Sequence, residues 1–139
     1  RRPAVRGNLD LCMKSKKILL IDDSEPIHQL LEVYSKRTEY ELLSARNMEE
    51  ALNALREEPF DLVLLDIELE ETTGFDLLPR IQKTLNQAGL PLPPVVAMSA
   101  HSGQDFILEL MRAGFTGRLK KPVSRLTFEK ALERYLPGS

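Results

Sequence analysis

Short apolar runs and stretches of helical apolar spacing alternate five times between Lys16 and Tyr135, and this alternation narrows the possible folds more than anything else in the chain. The runs are Ile18–Ile21, a weaker one over Tyr40–Ala45, "FDLVLLD" at residues 60–66, Val95–Met98, and a short polar one near Gly117–Lys120. After the first come Ile27, Leu30, Leu31 and Tyr34, whose i, i+3, i+4, i+7 spacing puts them on one face of a helix. Met48, Ala51, Leu52 and Leu55 repeat the pattern, as do Leu78, Ile81 and Leu85 in a helix from Gly74 to about Gln87. Phe106, Ile107, Leu110 and Met111 form a fourth set, and Phe128, Ala131, Leu132 and Tyr135 a fifth. Strands alternating with amphipathic helices imply a parallel sheet covered on both faces.

Punctuation supports these elements. Ser24 is placed to cap the first helix, and Pro26 falls in its first turn, where no intrahelical donor is needed. Asn47 and Glu50 resemble a capping box. Pro79 sits inside the third helical stretch and predicts a late start or a distorted first turn, while Gly114 is a natural stop for the fourth. Residues 1–15 carry scattered Arg, Pro and Gly without periodicity, and read as a loosely packed tail or linker.

No apolar run exceeds four residues, which excludes a membrane span. A net charge of −2 lacks the basic excess that nucleic-acid binding needs. Cys12 is the single cysteine, so there is no internal disulfide or cysteine zinc cluster. His28 and His101 lie far apart in sequence, which argues against a histidine metal site or triad.

Chemistry-bearing residues then fall at one kind of place. Asp22 and Asp23 follow the first strand, Asp66 ends the third, Ser99 follows the fourth and Lys121 the fifth. Ligands of open α/β sheets bind in the crevice beyond the carboxyl ends of the strands. Three carboxylates converging there make a hard-oxygen site suited to Mg²⁺. Each residue alone has a plainer role. The doublet could be solvated, with Asp23 helping to cap the first helix; Asp66 could serve a turn, Ser99 a loop and Lys121 the surface. Their joint placement at strand ends is what separates them from ordinary polar residues.

In order, "LLIDDSEPI", "DLVLLDIELEETTGFDLL", "VVAMSAH" and "GFTGRLKKPVS" resemble the receiver domain of two-component response regulators over about Lys16 to Leu136. The resemblance implies a flavodoxin-like, doubly wound (βα)5 fold, a five-stranded parallel sheet of order 2-1-3-4-5 with helices on both faces. It divides the chain into a tail at 1–15, a receiver domain at 16–136 and a tail at 137–139. It makes Asp66 the phosphoacceptor, with Asp22, Asp23, Asp66 and the backbone carbonyl of Glu68 as Mg²⁺ ligands. Lys121 and Ser99 would contact the phosphoryl oxygens, Lys121-Pro122 would be a cis bond, and Gly74 would let the chain bend close to the site. The implied donor is a histidine kinase or histidine phosphotransfer domain and the implied location cytoplasmic. The implied role is a signalling switch rather than an enzyme with turnover, acting on a fused or separate output domain. With only Pro137, Gly138 and Ser139 after Leu136, the expectation is a stand-alone regulator or an excised receiver without a nucleic-acid-binding output of its own. The residues set no oligomeric state.

Departures from the family pattern carry information too. Leu69-Glu70 stands where Met-Pro is common, and Arg118 where an aromatic switch residue is usual. A guanidinium cannot enter an apolar slot without large cost, so the aromatic readout is in doubt while phosphorylation is not. This favours the receiver of a hybrid sensor kinase. Glu68 and His101 would flank the phosphate and tune its lifetime. A phosphorylation-independent binding module is the alternative, favoured only if an acidic residue or the lysine were missing. An aspartate-nucleophile phosphatase would need Asp-x-Asp after the first strand. A flavin carrier would need a hydroxyl-rich phosphate loop where "DDSEP" stands.

Overall fold

A computed structural model describes residues 16–136. The expected tails at 1–15 and 137–139 lie outside the described residues. The elements are β1 (Lys16–Ile21), α1 (Glu25–Ser35), β2 (Tyr40–Ala45), α2 (Met48–Glu57), β3 (Leu62–Asp66), α3 (Gly74–Gln87), β4 (Val95–Ser99), α4 (Gln104–Ala113), β5 (Gly117–Lys120) and α5 (Arg125–Tyr135). All strand pairs are parallel, in the order β2-β1-β3-β4-β5, as the resemblance implied.

Every residue of β3 and β4 is buried, because helices cover both faces of the sheet there. The two-residue period of a strand divides the core. Leu19, Ile21, Val63, Leu65 and Ala97 point to α2, α3 and α4, where Leu52, Leu55, Leu78, Ile81 and Leu110 meet them. Ile18, Leu20, Leu64, Val96 and Met98 point the other way, to Leu31 of α1 and Phe128 and Leu132 of α5. Among the described residues no helix is long and apolar enough to cross a membrane.

Five local expectations change. Ser24 occupies the N-cap of α1, but its side chain makes no capping bond; the Asp22 carboxylate takes the Ser24 amide instead. The buried side of α1 is His28, Leu31 and Ser35, while Leu30 is 38% exposed. Hydrogen bonds to His28 and Ser35 make burying those polar groups tolerable, and that turns the helix away from the purely apolar stripe. On α4 only Leu110 is buried, and Met111 is exposed. Pro79 neither delays nor ends α3, which starts at Gly74 under a Thr73 cap and runs through it; the ring leaves one carbonyl without its usual intrahelical donor. The Asn47 cap is present, its Oδ1 accepting from the Glu50 amide, but Glu50 reaches back to the amide of Arg46 rather than Asn47. Gly114 ends α4 at φ 109°, in the left-handed region glycine favours.

Candidate functional site

The carboxyl ends of β1, β3, β4 and β5 bring Asp22, Asp66, Ser99 and Lys121 together, since a parallel sheet aligns all of these ends on one edge. Asp22 is fully buried. Its amide donates to the carbonyl of Ala45 at 3.1 Å, its Oδ1 accepts from the Ser24 amide at 2.8 Å, and its Oδ2 accepts from Lys121 Nζ at 3.0 Å. Asp23 is exposed, with Oδ2 accepting from the Glu70 amide at 2.6 Å, so the β3–α3 loop leans on the doublet.

Asp66 is buried at the end of β3. Its Oδ1 accepts from the Glu68 amide at 3.2 Å and lies 3.2 Å from Lys121 Nζ. The Glu68 amide contact keeps the backbone of that residue beside the cluster. Asp22, Asp23 and Asp66 each offer a carboxylate oxygen within 4.8 Å of the others. Ser99 Oγ accepts from the His101 amide at 3.0 Å, and the Lys121 amide donates to the Ser99 carbonyl at 2.9 Å, tying β5 to β4 at the site. The Lys121-Pro122 bond is cis.

Gly74 is required where it stands. A Cβ there would lie 2.8 Å from Ile67 Cδ1 and 3.1 Å from the Asp66 carbonyl oxygen, so the start of α3 packs directly on the end of β3.

Charge in this pocket is out of balance. Burial first, and then the neighbouring Asp22 charge, hold the Asp66 carboxyl above the ordinary carboxylate range, against the pull of the Glu68 amide and Lys121. Burial is also the largest single influence on Lys121, and it works to lower that group. The hydrogen bond and charge of Asp22, joined by Asp66, together outweigh it and hold the ammonium above its ordinary value. Three carboxylates against one ammonium leave an excess of negative charge that suits a divalent cation.

Glu68 and His101 lie at the mouth, with His101 Nε2 3.6 Å from a Glu68 carboxylate oxygen and both side chains largely exposed. Arg118 is half-buried and reaches the carbonyl of His101 at 3.5 Å. It also lines a groove of about 310 Å³ with Ile107, Met111, Arg134 and Tyr135, so its guanidinium is not enclosed by apolar side chains.

Several site neighbours escaped the sequence reading. His28 is buried with both ring nitrogens engaged, Nε2 at 2.6 Å from the Asp22 carbonyl and Nδ1 at 2.7 Å from Ser44 Oγ. Arg46 grips Glu25 with two bonds of 2.7 and 3.1 Å at the rim; that hydrogen bonding chiefly holds the Glu25 carboxyl below its usual range. Glu71 accepts from the Met48 amide at 2.6 Å, covering the first turn of α2. Only the helical spacing of His28 with Leu31 could have signalled its inward placement.

Comparison with known proteins identifies the family. Residues 18–133 match the family described as the response regulator receiver domain. The chain is 37% identical over 111 residues to the response regulator protein PilR of Pseudomonas aeruginosa, covering 80% of this chain and 24% of PilR. It is 30% identical over 135 residues to the autoinducer 1 sensor kinase/phosphatase LuxN of Vibrio campbellii, covering 95% of this chain and 15% of LuxN. The chain thus spans about a quarter or less of the length of these curated relatives. Among solved structures, the chemotaxis protein CheY4 of Vibrio cholerae superposes with a TM-score of 0.76 at 27% identity, covering 86% of this chain and 98% of CheY4. With an aspartate doublet, a strand-end aspartate and a lysine gathered at one edge of a 2-1-3-4-5 sheet, and a family match across most of its length, this chain belongs to the response regulator receiver domains of two-component signalling systems.

Proposed function

We propose that Asp66 accepts a phosphoryl group from a phosphohistidine, with Mg²⁺ held by Asp22, Asp23, Asp66 and the backbone carbonyl of Glu68. The observation that carries this reading is the convergence of three carboxylate oxygens within 4.8 Å, with Lys121 Nζ 3.0 and 3.2 Å from two of them. The donor set fits the ion, since Mg²⁺ takes hard oxygen ligands, few of them carboxylates, and keeps waters in its remaining positions. When bound, it supplies the positive charge that lets an anionic carboxylate approach an anionic phosphoryl group.

The rest of the chemistry belongs to the chain. A carboxylate oxygen of Asp66 attacks phosphorus in line, the O–P bond forms, and the N–P bond to the donor imidazole breaks with its electron pair leaving on nitrogen. The strand end and the Glu68 amide hold Asp66 for this approach. Lys121 donates to the phosphoryl oxygens as a point charge. Ser99 Oγ already accepts from an amide, an arrangement that leaves its own proton to be donated to a phosphoryl oxygen. Hydrolysis of the acyl phosphate resets the site.

The modification adds close to two negative charges at neutral pH, enough to bias a two-state element. On this reading the receiver spans residues 16–136 and works in the cytoplasm as a signalling switch. Its donor is a histidine kinase or phosphotransfer domain, and its output is a fused or separate partner. The match to LuxN, a sensor kinase/phosphatase, and the half-buried Arg118 at the usual aromatic position both favour the receiver of a hybrid kinase.

Intact-mass spectrometry after incubation with acetyl phosphate and Mg²⁺ tests the proposal. One phosphoryl adduct is expected, absent in Asp66→Asn and in the presence of a chelator. No adduct, together with no Mg²⁺-dependent beryllofluoride binding, would replace this reading with a phosphorylation-independent binding module.

A further inference from the structure

His28 is the one buried imidazole among the described residues, and phosphoryl transfer as described above makes no use of it. It is 2% exposed on the first turns of α1, where an aliphatic residue would serve packing as well as Leu31 does one turn later. A buried imidazole is tolerated when its polar atoms are paired, and here both are. The Asp22 carbonyl can only accept, so the proton lies on Nε2 at 2.6 Å, and in the neutral ring Nδ1 accepts from the Ser44 hydroxyl at 2.7 Å. Ser44 pairs with Leu20 across the β1–β2 ladder. The ring therefore ties the first residue beyond β1 to β2 from below.

We propose that His28 is a positioning residue for Asp22: by holding the Asp22 carbonyl, it sets where the Asp22 carboxylate stands and so how tightly the carboxylate cluster binds Mg²⁺. This rests on the reading of that cluster as a Mg²⁺ site. Four contacts define the pose of Asp22. Its amide bonds Ala45, Oδ1 bonds Ser24, Oδ2 bonds Lys121, and its carbonyl bonds His28. Three of these partners are backbone groups or a side chain that itself belongs to the site. His28 alone is a side chain brought in from a helix and anchored on a neighbouring strand. Without its donor, the Asp22 carbonyl loses the contact that fixes the peptide plane after it, and the Cα that carries the carboxylate is free to shift with the backbone. Partners that orient a metal ligand in this way typically govern affinity by about 10–100-fold.

Two substitutions separate the two ring nitrogens. The amide nitrogen of glutamine reaches about as far from the backbone as Nε2, and the asparagine amide about as far as Nδ1. His28→Gln thus keeps a donor for the Asp22 carbonyl, whereas His28→Asn keeps only the Ser44 contact. Mg²⁺ binding by the chain is measured directly by titration calorimetry, with thermal denaturation of the metal-free proteins alongside. The expected result is a Kd for Mg²⁺ raised about tenfold or more in His28→Asn and within about threefold of the parent in His28→Gln, while the two metal-free melting points fall alike. Phosphorylation by acetyl phosphate in His28→Asn is expected to recover at saturating Mg²⁺, a change in the half-saturating concentration rather than the limiting rate. Equal Mg²⁺ affinities in both folded variants and the parent would overturn the inference. If either variant fails to fold, Ser44→Ala, which frees the ring without removing it, should still raise the Kd by about two- to fivefold, and an unchanged Kd would overturn the inference as well. A parent chain that does not bind Mg²⁺ would instead overturn the underlying reading of the cluster.

Discussion

Replacing Lys121 with methionine should expose how much of the resting fold depends on one ammonium. Lys121 Nζ lies 3.0 Å from a carboxylate oxygen of Asp22, which is fully buried, and 3.2 Å from one of Asp66. At an effective dielectric constant of about 20, each contact corresponds to about 5 kcal/mol of attraction. The two carboxylates, within 4.8 Å of each other, repel by about 3–4 kcal/mol on the same scale. Methionine keeps most of the aliphatic stem and removes the charge. The attraction is not lost in full, because a carboxylate stripped of its cation takes up a proton instead. That escape sets a ceiling of about 1.36 kcal/mol for each pH unit above the ordinary carboxylate value of 3.8. The ceiling is about 5 kcal/mol at pH 7.5 and about 1.6 kcal/mol at pH 5. Sparing the desolvation of the ammonium returns part of this, so we expect Lys121→Met to lose about 2–4 kcal/mol at pH 7.5.

The pH dependence decides the cause. In the variant, a carboxyl whose folded pKa has risen costs stability above that pKa, and the cost fades as pH falls through it toward 3.8. In the parent, the ammonium is held above 10.5, so its contribution is complete below that value and disappears only at higher pH. Between about pH 5 and 7.5 the lysine stays charged and both histidines are common to the two proteins, so the change in their difference is assigned to the carboxylates that lost the cation. Urea denaturation in chelator, followed by circular dichroism at both pH values, reads it out. The loss should shrink below about 2 kcal/mol at pH 5 and narrow again when Mg²⁺ is added at pH 7.5. A loss equally large at both pH values would refute the electrostatic account and assign the effect to packing of the lysine stem.

Asp66→Asn should behave in the opposite sense. Burial and Asp22 disfavour the ionised Asp66 carboxyl in the folded state, and the amide still offers an oxygen to the Glu68 amide while Lys121 keeps Asp22. The melting point should rise on the order of a few °C at neutral pH, with the advantage shrinking as pH falls through the raised value; a fall in melting point at neutral pH would contradict it. Gly117→Ala should lose about 1–3 kcal/mol, because a Cβ there would overlap Tyr135 Oη and lie 2.5 Å from Cζ. Tyr135→Ser should remove most of that loss in the double variant by chemical denaturation, and simple additivity of the two changes would count against the clash.

Much of this architecture was legible in the residues because burial on both faces writes itself into sequence. The runs at Leu62–Leu65 and Val95–Met98 are unbroken since helices cover both sides of β3 and β4. Asp22, Asp66, Ser99 and Lys121 stood out by falling where those runs end, although strand order and residue roles came from resemblance rather than spacing. Polar contacts that replace apolar ones were not legible. His28 and Ser35 turn inward on α1 while Leu30 turns outward, and no count of hydrophobic periodicity registers a histidine whose partners lie six and sixteen residues away. The capping box of α5 was hidden for a related reason. Threonine, not Glu or Gln, fills its third position, with Thr127 Oγ1 accepting from the Ser124 amide at 3.0 Å.

On the proposed reading, Lys121 and a bound cation would compete for one set of oxygens. The same ammonium that makes a buried Asp22 tolerable beside Asp66 also offsets part of the negative charge that would draw a divalent ion in. On the proposed reading, a lysine on a flexible stem would resolve the conflict better than a fixed guanidinium, because it could turn from carboxylate to phosphoryl oxygen within the pocket. Asp22 cannot move in the same way, held as it is by Ala45, Ser24 and His28. On that reading the site combines one charge that changes partner with one carboxylate held in place by its contacts. Lys121→Arg, which preserves the charge and stiffens the fork that carries it, should keep the metal-free stability to within about 1 kcal/mol. It should nevertheless slow phosphorylation by acetyl phosphate at saturating Mg²⁺, and a parent-like rate would show that the mobility of the cation has no part in the transfer.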